Sequence, residues 1–469
     1  MEFAHRPGNT RAYVVLCKRG ASGTDLGSKP TIGPAPPDAN VEKVGVVVVG
    51  AGLAGASAAY AAAKAGAQVV LVERGARPGS KNVSGGLLYT HALAGMFPGF
   101  WEEQPSPVER AISRNVLTFL TPTQATSVDF YDRGFAQPPF NSFSVLRANL
   151  DPWLAGKAEA AGATPVYGAR VDGLVREGDR VVGIRLGDEE LRADVVVLAE
   201  GFNSLVARDA TLEPDGSPDT VSIGVKQVIG LPTGEVERRF QLRGIEGFQM
   251  TATGLPAGVE GGGFLYTNRE SLSIGLILNL RSVVEHRVAM YEVLEEFKQH
   301  PLLARYLEGG TLLEYSGCIV NEGGLPAVPP VSGDGYLLAG SAAQLFLNVG
   351  LTLRGMDFAI ESGRVAGEVA AEASRAQTAS AAFLDRYRRR LESSFVLRDL
   401  TTHRRYAKVF ENPRLYGVYP EMLATLLHRA YFIDGSERQH LDAALRSVRR
   451  DRVSNLTLAR DLWKAMRTL

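Results

Sequence analysis

The sequence predicts an α/β fold in which a dinucleotide-binding Rossmann unit is joined to a mostly antiparallel β subdomain and to a helical C-terminal region. Residues 44–73 follow the pattern of a strand, a glycine turn, a helix and a second strand. Residues 219–280 show short strands separated by glycine-rich turns, and residues 401–469 have helical periodicity. The 469 residues are enough for two or three such subdomains with a substantial core.

The glycine turn carries the spacing G-x-G-x-x-G directly after a strand and at the start of a helix. In this pattern the first glycine allows the tight turn, and the second lets a pyrophosphate approach the backbone. The third lets the helix pack closely on the strand. The free N–H groups and the positive end of the helix then face the phosphates. The turn comprises Gly50, Ala51, Gly52, Leu53, Ala54 and Gly55.

The second strand of this unit ends in an acidic residue. Glu73, followed by Arg74, stands about 20 residues beyond the turn, where a carboxylate can accept hydrogen bonds from both hydroxyls of an adenosine ribose. Strand, turn, helix and acid in this register predict a dinucleotide site. The alternative is a βαβ unit with only a structural role.

Composition restricts the class of protein. The chain has 51 Lys and Arg against 51 Asp and Glu, which gives no argument for nucleic-acid binding. Its two cysteines, Cys17 and Cys318, exclude a disulfide framework and a cysteine-ligated iron–sulfur cluster. No apolar run approaches the ~20 residues of a membrane span, and the chain does not open with a signal-peptide pattern. We expect a cytoplasmic protein, or one peripheral on the inner face of the cell membrane.

Two stretches in the first half of the chain are candidates for contact with the ligand. Small residues dominate residues 80–86, where backbone can approach a flat ligand closely, although an ordinary loop has the same composition. A second buried strand, residues 191–198, ends before Glu200 and Gly201 and would return the chain to the cofactor. A generic crossover is the alternative for this strand.

Two more candidates lie further along. Residues 261–263 are consecutive glycines, whose backbone N–H groups can contact a planar ligand; a flexible hairpin is the alternative. The apolar pattern also predicts a long helix over residues 351–373. Its N-terminus at residues 350–352 would aim a positive end at the ligand.

For charged and aromatic residues elsewhere in the chain, the sequence allows a structural interpretation as well as a functional one. Arg147 and Asp151 are four residues apart near a helix start and predict a surface ion pair, and His91 is interpreted as structural. From Thr401 onward, 13 Lys and Arg stand against 7 Asp and Glu, which favours a solvated face or a docking surface for an acidic partner or anionic lipid. Residues 135–143 and 415–432 are rich in aromatic residues, and either packs in the core or contacts a membrane.

Taken together, these stretches resemble the electron-transfer flavoprotein:quinone oxidoreductase family, and within it the FixC-type branch. The likeness covers nearly everything from residue 44 to residue 469. It rests on the segments GAGLAGASAA, ERGARPGSKNVSGGLLY, GVKQV, GGGFLYTN, GSAAQLFLNVGLTLRGMDFAI and ENPRLYGVYPE. The resemblance implies a FAD-binding fold of the glutathione-reductase type with a quinone-binding subdomain.

The resemblance also implies roles for residues at matching positions. The glycine turn, with Glu73 and Arg74, would hold the ADP half of FAD. The remaining contacts would come from Ser84, Gly85 and Gly86 by the isoalloxazine ring, Gly350, Leu351 and Thr352 at its N1/O2 edge, Glu200, Gly201, Gly340 and Ser341 elsewhere on the cofactor, and the backbone of Gly261 and Gly262 at a quinone carbonyl. No residue is implied as a catalytic acid, a nucleophile or a metal ligand.

The chain departs from the family pattern in three ways. Where the family usually has Gly-Asp, it has Gly340-Ser341, which removes a charge-assisted hydrogen bond worth about 1.5–3 kcal/mol. Glu200 likewise stands where Asp is common. The chain also lacks the C-terminal cysteines of the fused quinone reductases. The FixC-type branch implies instead a separate ferredoxin-like subunit and an electron-transfer flavoprotein as partners.

The resemblance leads to the hypothesis that electrons pass from reduced electron-transfer flavoprotein, with the ferredoxin-like subunit, through FAD to a membrane quinone. The alternatives are a prenyl C=C reductase of the geranylgeranyl-reductase type, an NADPH-dependent aromatic hydroxylase, and a non-catalytic docking subunit that carries flavin.

We expect the chain to divide into a disordered tail (1–40), the first part of the FAD domain (41–218), an antiparallel quinone subdomain (219–330), a FAD-domain return segment and helix (331–400) and a helical C-terminal region (401–469).

Overall fold

The computed structural model describes residues 43–80, 85–212, 220–450 and 452–468. The predicted tail and Ser84 lie outside these residues. Its strands are β1 (Lys43–Val49), β2 (Val69–Glu73), β3 (Gly86–Tyr89), β4 (Ala111–Leu120), β5 (Ala125–Tyr131), β6 (Ser142–Val145), β7 (Thr164–Tyr167), β8 (Gly173–Glu177), β9 (Arg180–Leu186), β10 (Glu189–Leu198), β11 (Val221–Gly230), β12 (Glu246–Thr253), β13 (Gly261–Thr267), β14 (Ser271–Asn279), β15 (Thr311–Asn321), β16 (Ser332–Gly333), β17 (Tyr336–Leu338), β18 (Leu347–Asn348) and β19 (Leu353–Arg354).

Helices connect and cover these strands. They are α1 (Leu53–Lys64), α2 (His91–Met96), α3 (Arg147–Ala160), α4 (Leu205–Asp209), α5 (Thr233–Phe240), α6 (Leu280–His286), α7 (Met290–Gln299), α8 (Pro301–Leu307), α9 (Met356–Arg375), α10 (Ala381–Ser393), α11 (Phe395–Thr402), α12 (Ala407–Phe410), α13 (Val418–Tyr431), α14 (Leu441–Arg449) and α15 (Asn455–Thr468).

The first sheet has the strand order β16-β17-β10-β1-β2-β7. Strand β1 pairs in parallel with β10 on one edge and with β2 on the other. Helices α1 and α9 pack against it, and residues 46–49 form a continuous buried run of valines. Helices α1 and α9 pack together closely. A Cβ atom on Gly363 or Gly367 would lie 2.1 Å from a carbonyl oxygen of α1. The predicted strand–turn–helix–strand unit is confirmed.

The second sheet has the order β15-β11-β14-β13-β12-β4-β6-β3, with β5 beside β4. It is antiparallel except for the parallel pair β4 and β12. The antiparallel sheet expected over residues 219–280 is present, but it also takes in the strands of residues 86–145, which were expected in the FAD domain. Helix α5 interrupts the region in which little helical periodicity was found.

The sequence of residues 282–308 has the pattern of a charged, amphipathic pair of helices that faces solvent, and the structure places helices α6, α7 and α8 over residues 280–307. The buried side chains of Leu294, Phe297 and Leu303 show that these helices also form the core on one face of the second sheet. The approach is close, because a Cβ atom on Gly263 of β13 would lie 2.3 Å from Cζ of Phe297.

Helices α10 to α15 make up the C-terminal part, as the sequence predicted. The two aromatic-rich stretches, for which the sequence allowed either core packing or membrane contact, are partly core, since Phe140, Phe143 and Met422 are buried. Within the described ranges, every helix is too short or too polar to span a bilayer.

Candidate functional site

The glycine turn between β1 and α1 leaves no room for side chains. Gly50 has a φ of +96°, and a Cβ atom on it would lie 2.5 Å from the Ala199 carbonyl oxygen. On Gly55, a Cβ atom would lie 1.8 Å from the Gly50 carbonyl oxygen. The turn is therefore folded back against both the following helix and the end of β10.

The N-terminus of α1 suits an anionic ligand. Gly52 caps the helix without a side-chain hydrogen bond, and the first turn carries no acidic residue. The first N–H groups of a helix have no partner within it, so those of Leu53 and Ala54 are available to a phosphate. A glycine cradle that a single Cβ atom would fill, with open donors at its floor, fits the pyrophosphate of a dinucleotide.

Glu73 lies at the end of β2 and braces this turn. Its Oε2 accepts a hydrogen bond from the Ala51 N–H at 2.9 Å, and its Oε1 accepts one from the Gly75 N–H at 2.7 Å. A carboxylate has about four lone-pair sites, so acceptor capacity remains for hydroxyl groups. Glu73 also lines a cleft together with Gly50, Arg74, Asp172 and Glu200.

Glu200 shapes the other wall of the cleft. Its carboxylate accepts hydrogen bonds from the N–H groups of Val206 and Ala207, both at 3.1 Å, and so caps the short helix α4. Gly201 follows with a φ of +77°, which turns the chain away from β10. No pattern in the sequence indicated this capping role.

Gly340 and Ser341 lie beside the start of α1. Gly340 has a φ of +64°, and a Cβ atom on it would lie 2.7 Å from Cβ of Ala54. Its N–H donates to Oγ of Ser362 on α9 at 3.0 Å. Ser341 is exposed next to this contact. The pair therefore lies beside the N-terminal turn of α1.

The loop that ends at residues 85–86 lies where the two sheets meet. Gly85 has a φ of +78°, and a Cβ atom on it would lie 2.2 Å from Oγ of Ser273 on β14. The Gly85 carbonyl accepts a hydrogen bond from Nζ of Lys226 on β11. Gly86 opens β3, and a Cβ atom there would lie 3.0 Å from Cε of Met356. This loop connects the dinucleotide unit to the second sheet.

The predicted helix start at Gly350, Leu351 and Thr352 is wrong. These residues form the turn of a hairpin between β18 and β19, and α9 begins only at Met356. The Gly350 N–H donates to Oδ1 of Asn348 at 2.9 Å, which closes the turn, and Leu351 is exposed. The three residues cannot supply a helix dipole, and the N–H groups of Gly350 and Leu351 are already hydrogen-bonded within the turn.

A buried ionic network fixes that hairpin to α9. Arg354 donates to Oδ2 of Asp357 from Nε at 2.8 Å and from Nη2 at 2.6 Å, and it also donates to Asp399. Its guanidinium lies over the rings of Phe358 and Phe395, at 4.7 and 5.2 Å. Burial raises the pKa of the Asp357 carboxyl, so its charge depends on the guanidinium beside it. This network was not predicted, although Arg354 and Asp357 have the i,i+3 spacing of a pair.

Predictions were also made for the titratable residues Asp151 and His91. Asp151 is fully buried in its ion pair with Arg147, so this pair is not the surface pair that the spacing suggested. The Nε2 atom of His91 lies 3.8 Å from Asp357, and its ring packs edge-on against Phe395 with centroids 4.5 Å apart. Desolvation lowers the pKa of His91, in keeping with a neutral structural residue.

Gly261 and Gly262 are the first residues of strand β13, where the strand is paired along one edge only. Their residue partners in β14 are Leu278 and Ile277, whereas the pairing of β13 with β12 begins at Gly263. Because side chains alternate along a strand, Gly262 lies on the opposite face from Gly263 and its Phe297 contact. That is the face on which Phe264 and Lys226 approach the Gly85 loop.

Three family models cover most of the chain. A model described as "FAD dependent oxidoreductase" matches residues 45–208. A model described as "ETF-QO, ubiquinone-binding" matches residues 222–320, and one described as "ETF-QO/FixC family C-terminal domain" matches residues 406–469.

Similar proteins extend these matches over more than four-fifths of the chain. This chain is 43% identical over 399 residues to the probable electron transfer flavoprotein-quinone oxidoreductase YdiS of Escherichia coli K12. The alignment covers 85% of this chain and 92% of that protein. The chain is 41% identical over 391 residues to Protein FixC of the same strain, covering 83% and 91%. The chain belongs to the electron transfer flavoprotein-quinone oxidoreductase/FixC family.

Solved structures of similar fold agree with the fold predicted for this chain. A geranylgeranyl bacteriochlorophyll reductase-like protein from Thermoplasma acidophilum superposes with a TM-score of 0.69 at 19% identity, covering 90% of this chain and 99% of that one. The myxobacterial chondrochloren halogenase CndH gives 0.60 at 17% identity, covering 91% of each chain. At these identities the likeness concerns the fold alone.

This member of the FixC family is therefore a FAD-dependent oxidoreductase. The predicted family, fold class and cofactor are confirmed. The glycine cradle, Glu73 and the cleft beside them suit the ADP half of FAD by their own geometry. Lys226 and the Arg354 network lie near the opposite end of the site and were not predicted, although GVKQV and RGMD belong to segments that carried the resemblance.

Proposed function

We propose that this chain carries electrons from electron-transfer flavoprotein through bound FAD to a membrane quinone, alongside a separate ferredoxin-like subunit. One observation supports this most strongly. The strands matched by the ubiquinone-binding model contact the loop at Gly85 directly, through Lys226 and Ser273. A ligand on the second sheet would therefore lie within a short distance of one held by the first. FixC and YdiS are similar to this chain over most of their length.

In this proposal residues on both sheets would hold FAD. The N–H groups of residues 52–55 bind its pyrophosphate, and Glu73 accepts from its adenosine ribose. Gly340 and Ser341 would lie along its middle, and Gly85, Gly86 and residues 350–352 would lie by its ring. FAD, when bound, supplies the capacity to take up and release electrons. The protein residues bind and orient it and keep water from its ring.

The quinone would lie at the opening strand residues of β13. Gly261 and Gly262 are not paired to β12 in the described chain, so their backbone groups on that side are free to face a carbonyl. Gly262 has no side chain to fill the space, and a Cβ atom there would meet only the Ala252 carbonyl oxygen, at 3.3 Å. The face it shares with Lys226 leads toward the Gly85 loop.

Replacing Gly262 with valine tests this placement. A valine side chain would occupy the face of β13 that leads to the loop, so we expect reoxidation of the reduced protein by a short-chain ubiquinone to slow at least about tenfold, or by 1.4 kcal/mol of activation free energy. FAD content should not change, because the cradle lies on the other sheet. The measurement is stopped-flow recovery of flavin absorbance under anaerobic conditions.

Gly234→Val is the matched control for that experiment. Gly234 lies in α5, and a Cβ atom on it would meet no heavy atom within 4 Å, so the same substitution should leave reoxidation unchanged. Equal rates for wild type and the Gly262 variant would refute the quinone placement.

We further propose a peripheral contact with the membrane. Phe130 and Tyr131 on β5 are more than half exposed, at 54% each, and Tyr431 and Phe432 at the end of α13 are 82% and 59% exposed. Helix α13 packs beside β4 and β5, so both aromatic pairs belong to elements that are in contact with each other. Exposed aromatic and basic side chains are the pattern of a protein that binds a bilayer interface.

Replacing Phe130 and Phe432 together by serine should weaken binding to anionic lipid vesicles. Removing two aromatic side chains from the interface is expected to lower the partition coefficient at least about tenfold, roughly 1.4 kcal/mol. Vesicle flotation measures this, with Leu456→Ser as a control for an exposed apolar residue on the separate helix α15. Equal flotation of the double variant and wild type would refute this membrane surface.

A further inference from the structure

Lys226 occupies an unusual place in the second sheet. It lies on β11, where its neighbour across β14 is Gly275 and its neighbour across β15 is Ser316. Its ammonium donates to the Gly85 carbonyl and lies 5.9 Å from the centroid of the Phe264 ring. The side chain thus crosses from the quinone-domain match to the loop that follows the dinucleotide unit.

Among the described residues no carboxylate forms a salt bridge with Lys226, although the charge of Glu314 favours the protonated amine. An ammonium has three donors, and the Gly85 carbonyl is the acceptor that the described chain provides. The titratable groups that face it are Glu314 and Cys318 on β15 and Arg147 at the start of α3. Burial of the amine lowers the pKa of Lys226 to about 8. A partly buried cation with spare donors is costly unless another group compensates it.

We propose that Lys226 is a positioning residue for the flavin ring, which fixes the loop at residues 85–86 and places a positive charge beside that ring. This inference rests on the proposed placement of the ring. It goes beyond that placement because it names the residue whose charge acts on the ring. A nearby cation stabilises a group that has gained negative charge. It therefore makes bound FAD easier to reduce.

Two roles are combined in this side chain, and variants separate them. Lys226→Gln keeps a hydrogen-bond donor for the Gly85 carbonyl but removes the charge. Lys226→Met removes both, and Lys226→Arg keeps both. Lys64→Gln is the matched control, because Lys64 is an exposed lysine at the far end of α1.

The first experiment measures the midpoint potential of FAD in each purified holoprotein, by absorbance with redox dyes. Lys226→Gln and Lys226→Met should each lower the preference of the protein for reduced over oxidised FAD at least tenfold, which is about 30 mV for a two-electron couple. Lys226→Arg and Lys64→Gln should stay within threefold of wild type. A wild-type potential in Lys226→Gln would overturn the proposal and leave only a loop-holding role.

The second experiment measures amine acylation by mass spectrometry in protein stripped of FAD and reloaded with it. FAD should slow labelling of Lys226 at least tenfold and leave labelling of Lys64 unchanged. Equal labelling of Lys226 with and without FAD would show that the ring lies elsewhere and would overturn the inference. Neither measurement needs a quinone or an electron-transfer flavoprotein, so their failure is distinct from failure of the electron relay.

Discussion

Replacing Gly55 with alanine is expected to give a protein that purifies without FAD. The added Cβ atom would lie 1.8 Å from the Gly50 carbonyl oxygen and 3.3 Å from Cβ of Ala199. The turn or the helix must then move apart, and the first N–H groups of α1 no longer converge on one phosphate. We expect FAD affinity to fall at least about 100-fold, near 3 kcal/mol. The ratio of flavin to protein absorbance measures it.

Gly156→Ala is the control for that variant. Gly156 lies within α3 with no heavy atom near its Cβ position. The same substitution should there stabilise the helix by about 0.5–1 kcal/mol and leave FAD content unchanged. Circular dichroism shows whether the Gly55 variant remains folded. A folded Gly55→Ala protein with one FAD per chain would contradict the role given to the glycine cradle.

Replacing Arg354 with methionine is expected to cost the protein about 3–5 kcal/mol of unfolding free energy. The reason is that Asp357, with 1% of its side chain exposed, would keep a carboxylate without its cation, since the guanidinium supplies the ion pair. The hairpin of β18 and β19 would also lose its tie to α9 and to Asp399. Urea unfolding followed by tryptophan fluorescence gives the value, and flavin absorbance shows whether FAD is retained.

Two further variants test whether the unpaired charge of Asp357 causes the loss of stability. Arg354→Met combined with Asp357→Asn should recover part of the loss, because the unpaired charge is gone. Arg446→Met breaks an ion pair with Asp442 whose side chains are each 64% exposed, and should change stability by less than about 1 kcal/mol. A loss below about 1 kcal/mol in Arg354→Met itself would show that the network contributes little to the hairpin.

Local patterns allowed the first unit to be predicted, because its determinants lie close together in sequence. The valines of β1, the glycines at 50, 52 and 55, and the acid at 73 all act within one βαβ segment. The antiparallel sheet was also predicted, from strands and turns of similar local character. Its extension to β3, β4, β5 and β6 was not, since the pairing of β4 with β12 joins residues more than a hundred positions apart.

The missed features of the site share one property, which is dependence on tertiary contacts. An apolar run with helical periodicity predicted a helix from residue 351, but the Arg354 network and the pairing of Leu347 with Arg354 hold residues 347–354 as a hairpin. The burial of Asp151 depends on packing around α3, which a spacing of four residues does not reveal. Lys226 likewise became notable only when the Gly85 loop was found against it.

The most direct test of the account is an anaerobic optical titration of the purified wild-type protein. Reduced electron-transfer flavoprotein should bleach the bound flavin, and a short-chain ubiquinone added afterwards should restore its colour with matching stoichiometry. Full bleaching without recovery on addition of quinone, but with recovery on addition of a prenylated alkene substrate, would contradict the proposed function and favour a C=C reductase.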